Sequence, residues 1–403
     1  MIETVLDRAV LGLFLSASLA LVSIYGMVVF FGRQRQSLEK TPAVASIEMM
    51  PESLPTVSVI IPAYNEAVNI QDCITAVLAS KLTNPEDLQV LVADDGSTDA
   101  TQTLAKALAA QDSRVQVIPV PPRPQDAVWQ GKNWACTQAV RQAIGDYWLF
   151  IDADVRLAPN AIATAVAKAE QDSIDLLSLL PNVLCRCLAE WLVQPLMKSL
   201  LVLGFSFAEV NDPTHPEQAF AAGPFMLFRR AAYEAVGGHR AVAENLVEDV
   251  ALAQLIKQRG YRLFYALELE LVQVRMYQNW AALWEGWTKN YYLGTGRNPF
   301  GTLYSALVIL VVFTFPWIGL GLAIFLEITE FSAVGTVTVL LAIGTILLQY
   351  YYRLQAAQLL GQPLRYAWLS WLSGLLVAAI AVGSMIKTET GWGWTWRGRP
   401  LKI

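Results

Sequence analysis

Tyr147–Asp154 reads YWLFIDAD, an apolar run that carries straight into Asp152-Ala153-Asp154, two carboxylates two residues apart. Runs of the same kind lie upstream. Thr56–Pro62 (TVSVIIP) leads into Pro62-Ala63-Tyr64-Asn65-Glu66, and Leu88–Ala93 (LQVLVA) leads into Asp94-Asp95-Gly96-Ser97-Thr98-Asp99. Val115–Val120 reads as a further strand, and Asn69–Ser80, Thr98–Ala110 and Lys132–Ile144 carry helical patterns between the strands. Alternating strands and helices predict an α/β domain with a mostly parallel sheet covered on both faces. Ligands of such sheets bind at the carboxyl ends of the strands. The acidic clusters fall at those ends.

Each cluster has a bland reading and a chemical one. At its spacing, Asp152 and Asp154 can both face one hard cation and a bound diphosphate, an oxygen-donor arrangement that suits Mg2+ or Mn2+; the alternative is a solvated surface pair. Asp94 and Asp95 open a turn in which Ser or Asp caps the next helix, and Asp94 can also face a base or ribose. Glu66 accepts from a nucleobase N–H or merely favours a helix start. Gly131-Lys132-Asn133 opens a helix where Lys132 can hold phosphate oxygens, or it is a surface lysine. Glu248-Asp249 opens a predicted helix over Val247–Arg259. The helix dipole alone would favour an acidic pair there. The other reading is a general base, since histidine is confined to His215 and His239.

Of the 403 residues, 55% are hydrophobic and 16% charged, which is too apolar for a wholly soluble enzyme. The net charge of −5 gives no basic field for nucleic acid. Cys73, Cys136, Cys185 and Cys187 make no zinc pattern and read as reduced thiols in a cytosol-facing domain. Val10–Phe31, Leu303–Leu326, Phe331–Tyr352 and Tyr366–Ile386 are uncharged and long enough to cross a hydrocarbon core of about 30 Å. Arg33, Arg35 and Lys40 after the first run place Met1 outside and the middle of the chain in the cytosol; Glu327 and Glu330 then fall outside, and Arg353 and Arg365 inside. The tail breaks this pattern. Three C-terminal crossings would put Arg397, Arg399 and Lys402 outside, so either one run is re-entrant or the tail violates the rule. Leu188–Ala208, with Glu190, Pro195 and Lys198, is expected to lie in the interface, because the acids before and after it must share one site. The Trp280–Trp287 segment is expected in the same interface, framing with that helix a lateral opening for an amphiphile below Asp249.

PAYNE, DDGSTD, DAD and the later ED, in this order over about residues 55–300, resemble the family 2 glycosyltransferases of GT-A fold. The resemblance implies a membrane-bound, inverting hexosyltransferase. It would move a sugar from a nucleotide-sugar, such as a UDP-hexose, to a hydroxyl of a lipid or isoprenoid. It further implies that Pro62, Ala63, Tyr64, Glu66, Asp94, Asp95, Lys132 and Asp152 bind the donor. Asp152 and Asp154 would hold Mg2+ or Mn2+, and Asp249, beside Glu248, would be the base. A Q/R-x-x-R-W signature is missing near Gln278–Trp280, which argues against a processive synthase. Trp284-Glu285-Gly286-Trp287-Thr288-Lys289-Asn290 and Thr395–Arg399 resemble ceramide glucosyltransferase-like, hopanoid-associated and carotenoid glycosyltransferases. Trp284, Trp287 and Lys289 would then mark the acceptor region, or an aromatic belt at the membrane surface. The expected division is an anchor over 1–36, a cytosolic GT-A domain over 55–270, interfacial helices over 271–302, and membrane helices with a basic tail over 303–403. The whole would be a multi-pass protein of the inner membrane. Competing readings are a polysaccharide or polyprenyl-phosphate glycosyltransferase and a non-catalytic sugar-nucleotide-binding scaffold.

Overall fold

A computed structural model describes residues 2–40, 44, 53–124, 128–329 and 333–401. Met1, Glu330, Phe331 and Lys402, invoked above, lie outside the described residues. The chain divides into two units. One comprises Ser37–Leu184 and Phe205–Met276; the other comprises Met1–Gln36, Cys185–Gly204 and Tyr277–Lys402.

In chain order the elements begin with α1 (Ile2–Lys40), β1 (Val57–Ala63), α2 (Ile70–Leu78), β2 (Leu88–Asp94), α3 (Thr101–Ala109), β3 (Val115–Pro119), α4 (Gly131–Ala139) and β4 (Tyr147–Phe150). There follow β5 (Val155–Leu157), α5 (Ala161–Gln171), β6 (Leu176–Leu180), β7 (Asn182–Val183), α6 (Leu188–Leu203), α7 (Phe207–Asn211) and β8 (Met226–Arg229). Short helices α8 (Arg230–Val236) and α9 (Gly238–Ala241) lead to α10 (Glu248–Gln258), β9 (Leu263–Leu267) and β10 (Val272–Val274).

Seven strands form the main sheet in the order β3-β2-β1-β4-β8-β6-β9. β1, β2, β3 and β4 pair in parallel, as do β6 and β9. β8 is antiparallel to both of its neighbours. β1 and β2 are buried on both faces, as continuous apolar strands under helices must be. The winding reverses at β1: β2 and β3 lie on one side and β4 on the other. A crevice opens at the carboxyl ends of strands on either side of such a reversal, which here means the ends of β1 and β4.

The predicted helices start or stop inside their expected bounds for visible reasons. The helix expected from Thr98 begins at Thr101 because Asp99 Oδ1 accepts from the Thr101 N–H at 2.9 Å and Asn65 Oδ1 from the Thr98 N–H at 2.8 Å. The one expected to run to Ile144 ends at Ala139 with a 3-10 turn. Beyond it, the Ile144 N–H donates to Ser58 Oγ at 3.1 Å, pinning the chain to the sheet. The apolar run expected to end at Ala208 stops at Leu203, and Ser206 caps a separate helix, α7. The charges in α6 are internally employed. Buried Glu190 accepts from the N–H groups of Arg186 and Cys187 at 2.6 and 2.9 Å, and Lys198 Nζ donates to the Leu360 carbonyl at 3.1 Å.

The helical unit continues with α11 (Trp280–Gly294), α12 (Pro299–Ile309), a π turn (Leu310–Thr314), α13 (Phe315–Thr329), α14 (Ala333–Leu360), α15 (Ser370–Thr390) and a hairpin of β11 (Thr395–Trp396) and β12 (Arg399–Pro400). Among the described residues, four helices are long and apolar enough to cross a membrane: Leu11–Leu38, Pro299–Ile328, Ala333–Leu360 and Ala367–Thr390. α6 is not one of them. It belongs to the helical unit, where Trp287 Nε1 donates to Gln194 Oε1 at 2.7 Å.

Gly145 fills the tightest approach beneath β1. A Cβ there would stand 2.5 Å from the Ser58 nitrogen and 2.8 Å from the Val57 carbonyl carbon. Backbone cannot yield as a side-chain tip can, so Gly145→Ala is expected to cost about 1–3 kcal/mol, in the range of core overpacking. A lowered unfolding midpoint in detergent checks this; an unchanged midpoint refutes it.

Candidate active site

The loops after β1 and β2 are braced against each other. Asn65 adopts φ +55°, a left-handed conformation that Asn tolerates better than most residues. Its N–H donates to Ser97 Oγ at 3.0 Å, the Glu66 N–H donates to Thr101 Oγ1 at 2.7 Å, and the Ala67 N–H donates to Asp99 Oδ2 at 3.1 Å. Burial works against the Asp99 charge, but these hydrogen bonds from Thr101 and Ala67 outweigh it and hold the carboxyl below its usual range. Asp94 is buried at the end of β2 and accepts from the Ser97 N–H and from Gln102 Nε2. Glu66 Oε2 accepts from Asn69 Nδ2 at 2.9 Å. Asp95 pairs with Arg123 at 3.1 Å, and Gly131 lets the chain pass: a Cβ there would lie 3.0 Å from Asp95 Oδ2.

The charged centre is assembled from distant parts of the chain. Lys132 Nζ lies 2.7 Å from Asp152 Oδ1 and 2.7 Å from Glu248 Oε1. Asp249 Oδ2 accepts from the Gly223 N–H at 2.9 Å, and Oδ1 from the Val250 N–H at 2.9 Å. Gly223 sits against both groups, since a Cβ on it would meet Lys132 Nζ at 3.1 Å and Asp249 Oδ2 at 3.2 Å. Burial opposes the Lys132 charge, but Asp152, Glu248 and Asp249 together hold the ammonium well above its ordinary pKa. Burial, with the Glu248 charge second, pushes Asp249 up to about 6; Lys132 and the two backbone N–H groups act the other way without cancelling the rise.

Asn133, fully buried beside Lys132, fixes this register. Its Nδ2 donates to the carbonyls of Val242 at 2.7 Å and Asn245 at 2.9 Å, tying the start of α4 to the loop before α10. Gln130 reinforces it through its own N–H to the Ala243 carbonyl at 2.8 Å. The sequence reading missed Asn133, Gln130, Gly223 and Arg123. The Gly131-Lys132-Asn133 stretch named Asn133 without giving it a role, whereas nothing local marked Gly223. His239 is core: its ring meets Tyr233 OH at 2.7 Å, and burial, followed by Lys132, pushes its pKa down to about 3. The four cysteines are free thiols.

Asp152 and Asp154 follow β4, half-buried on either side of buried Ala153. No group of three or more His, Cys, Asp or Glu able to hold a metal is found among the described residues. The pair offers hard oxygen donors, as Mg2+ or Mn2+ prefers when substrate oxygens complete the shell. Charge balance points the same way. Around Lys132 stand three carboxylates, Asp152, Glu248 and Asp249, so the cluster can accept further positive charge. The residues fit a divalent cation.

Trp284, Trp287 and Lys289 all lie on α11 in the helical unit. Trp287 bonds Gln194 as described, Trp284 rests on Gly383, and Lys289 Nζ stands 4.6 Å from the centre of the Trp396 ring.

Residues 58–237 match the family described as Glycosyl transferase family 2. The chain is 30% identical over 294 residues to a 4,4'-diaponeurosporenoate glycosyltransferase of Staphylococcus aureus (strain USA300), covering 72% of this chain and 74% of that protein. It is similar in structure to a mannosyltransferase from Pyrobaculum calidifontis in complex with GDP-Man and Mn2+, with a TM-score of 0.52 and 18% identity over 95% of this chain and 100% of that one. That likeness bears on the fold, and the first relative on the lineage. Together with the strand-end acids they make this chain a glycosyltransferase of GT-A fold that belongs to glycosyltransferase family 2.

Proposed function

We propose that this enzyme transfers a hexose from a UDP-sugar, with inversion, to a hydroxyl of a lipid or isoprenoid acceptor at the cytosolic face of a membrane. The observation that carries the reading is the cluster of Lys132, Asp152, Glu248 and Asp249 under Gly223, in a chain that also has apolar helices of spanning length. Glu66 and Asp94, on the braced loops, face the nucleoside. Lys132 exchanges a carboxylate for a phosphate oxygen when the donor enters. Asp249 takes the acceptor hydroxyl's proton as that oxygen attacks the anomeric carbon; the bond to the diphosphate breaks and UDP leaves. A Mg2+ or Mn2+ held by Asp152 and Asp154 would offset charge on the leaving diphosphate.

A second reading comes from the name of the staphylococcal relative, whose acceptor is a carboxylate. A carboxylate is already ionised at neutral pH and attacks without a base. The two readings separate at Asp249. For a hydroxyl acceptor, Asp249→Asn retains donor binding and loses turnover by about 10²–10⁴-fold. The active form of the base is deprotonated, so with its carboxyl at about 6 wild-type turnover is full above that pH and falls as pH drops through it. For a carboxylate acceptor both effects shrink. Near-normal turnover of Asp249→Asn on a hydroxyl acceptor removes the base assignment. Mass spectrometry of lipid extracts from a deletion strain identifies the acceptor.

Asp154→Ala is expected to abolish transfer, and a chelator to abolish it in the parent, with Mg2+ or Mn2+ restoring the parent alone. Full activity in chelator means that Asp152 and Asp154 hold no metal.

The acceptor's chain stays in lipid, since each methylene drawn into water costs about 0.8 kcal/mol; α6 and α11 supply the apolar surface by which it enters. Leu201→Asp on α6 should therefore weaken use of a long-chain acceptor while UDP-sugar binding changes little. Equal loss of both makes α6 ordinary core.

A further inference from the structure

The four candidate spans do not share one height. Phe31 of α1 and Phe313 of the π turn both pack on Tyr352 of α14, with ring centres 5.3 and 6.2 Å apart, and Gln349 Nε2 donates to the Val312 carbonyl at 2.6 Å. Residues 31, 313 and 352 thus mark one level. On one side of it, α13 and α14 run together to a far end where Thr336 Oγ1 donates to Glu327 Oε2 at 3.1 Å, and α1 follows them, with Leu13 beside Gly319 and Leu21 beside Gly344. From 333 to 352 is about 20 residues, or about 30 Å at 1.5 Å each, the thickness of a hydrocarbon core. Just past the level on the other side stand Arg33, Arg35 and Arg353. The full apolar helix Pro299–Ile328 has 30 residues, about 45 Å, so it is too long to lie upright inside the same core.

α15 occupies the surplus. Its first turn meets this level, where Thr314 Oγ1 donates to the Trp371 carbonyl at 2.9 Å. From there it runs along α12 toward α11. The Tyr292 N–H donates to Ser384 Oγ at 2.9 Å, Lys387 Nζ lies 3.3 Å from Thr288 Oγ1, and Arg297 pairs with Glu389 at 2.9 Å. Then the terminal hairpin closes on α11, with Thr395 Oγ1 donating to Glu285 Oε1 at 2.7 Å and Lys289 against the Trp396 ring. α15 therefore leads away from the Glu327 end. The chain that leaves it finishes on α11, a helix that comes before the second candidate span.

We propose that α15 does not cross the bilayer: it lies with α12 in the inner-leaflet interface, the protein crosses three times through α1, α13 and α14, and the C-terminal hairpin is cytosolic. Among the described residues no candidate span falls between Leu38 and Pro299, so α11, and the hairpin on it, stay on the side that follows α1. Arg397 and Arg399 then lie with Arg33, Arg35 and Arg353, which removes the conflict with the positive-inside rule. The partner of this layer is lipid. α15 buries Val377, Ile380 and Ala381 but exposes Leu375 and Ile386, while α12 exposes Phe300, Tyr304 and Leu307 and the hairpin approach exposes Trp392. Such an aromatic-rich apolar face, continuous with three spans and edged by cations, suits the headgroup boundary. The π turn and Pro316 stand where a helix most readily bends out of a span.

The test adds single cysteines to the full-length protein at exposed Ile328, Ile144 and Trp392 and labels vesicles of each orientation with a membrane-impermeant maleimide, subtracting the parent's own thiols. Trp392→Cys should label from the same side as Ile144→Cys and from the side opposite to Ile328→Cys. Labelling of Trp392→Cys with Ile328→Cys overturns the proposal, whichever way the catalytic unit faces. A nitroxide on Leu375→Cys gives a second readout. Relaxation by a polar collider at headgroup depth supports the interfacial layer, and a depth at the bilayer centre overturns it.

Discussion

One ammonium among three carboxylates is the constraint on which the rest of the catalytic unit depends. Lys132 reaches Asp152 from one strand end and Glu248 from a helix start, each at 2.7 Å. Like charges brought together in a partly dry site repel, and an unpaired buried charge is far more costly than a paired one. Lys132 therefore makes it possible for Asp152, Glu248 and Asp249 to share a site before any substrate arrives. Burial first, and the Glu248 charge second, still hold the Asp249 carboxyl up to about 6, in the range where a general base works near neutral pH.

The sheet explains why these groups meet. The winding reverses at β1, so the loops that end β1 and β4 bound one crevice. Antiparallel β8, inserted beside β4, precedes the helices that carry the chain to Glu248 and Asp249. Asn133 and Gln130 complete the connection by holding the start of α4 to residues 242–245. Such carbonyl-binding amides add rigidity without adding charge, which a net-acidic site can accommodate.

How much of this was legible depends on the range of the interaction. β1, β2 and β4 announce themselves because both faces are buried and nearly every residue is apolar, Ser58 and Gln89 meeting each other across the pair. The acids could be assigned to strand ends for the same reason. The antiparallel β8 could not be placed, since MLFR carries no sign of direction. Gly223 is invisible too: its need for a missing Cβ arises only when Lys132 and Asp249 converge on it from residues far away in the chain. Ser97, Thr98 and Asp99 show an intermediate case. Their capping chemistry is plain in the sequence, but their partners at Asn65 and Ala67 come from another loop. Four apolar runs were equally plain, because length and composition register in any window. The level at which each sits is a tertiary property and left no such mark.

The chain order adds a limit on how such an enzyme can meet a membrane. Between the carboxylates of β4 and those of α10 the chain leaves the catalytic unit at Cys185 and returns at Phe205. One crossing in that interval would put Asp152 and Asp249 on opposite faces, and two crossings need more residues than it has. An apolar helix in that place must stay on one face, and its polar side chains show how it does so. Glu190 is spent on its own first turn and Lys198 on the last carbonyl of α14. Both charges are thereby removed from the apolar surface, leaving α6 able to rest among the other helices of its unit without requiring water on every side.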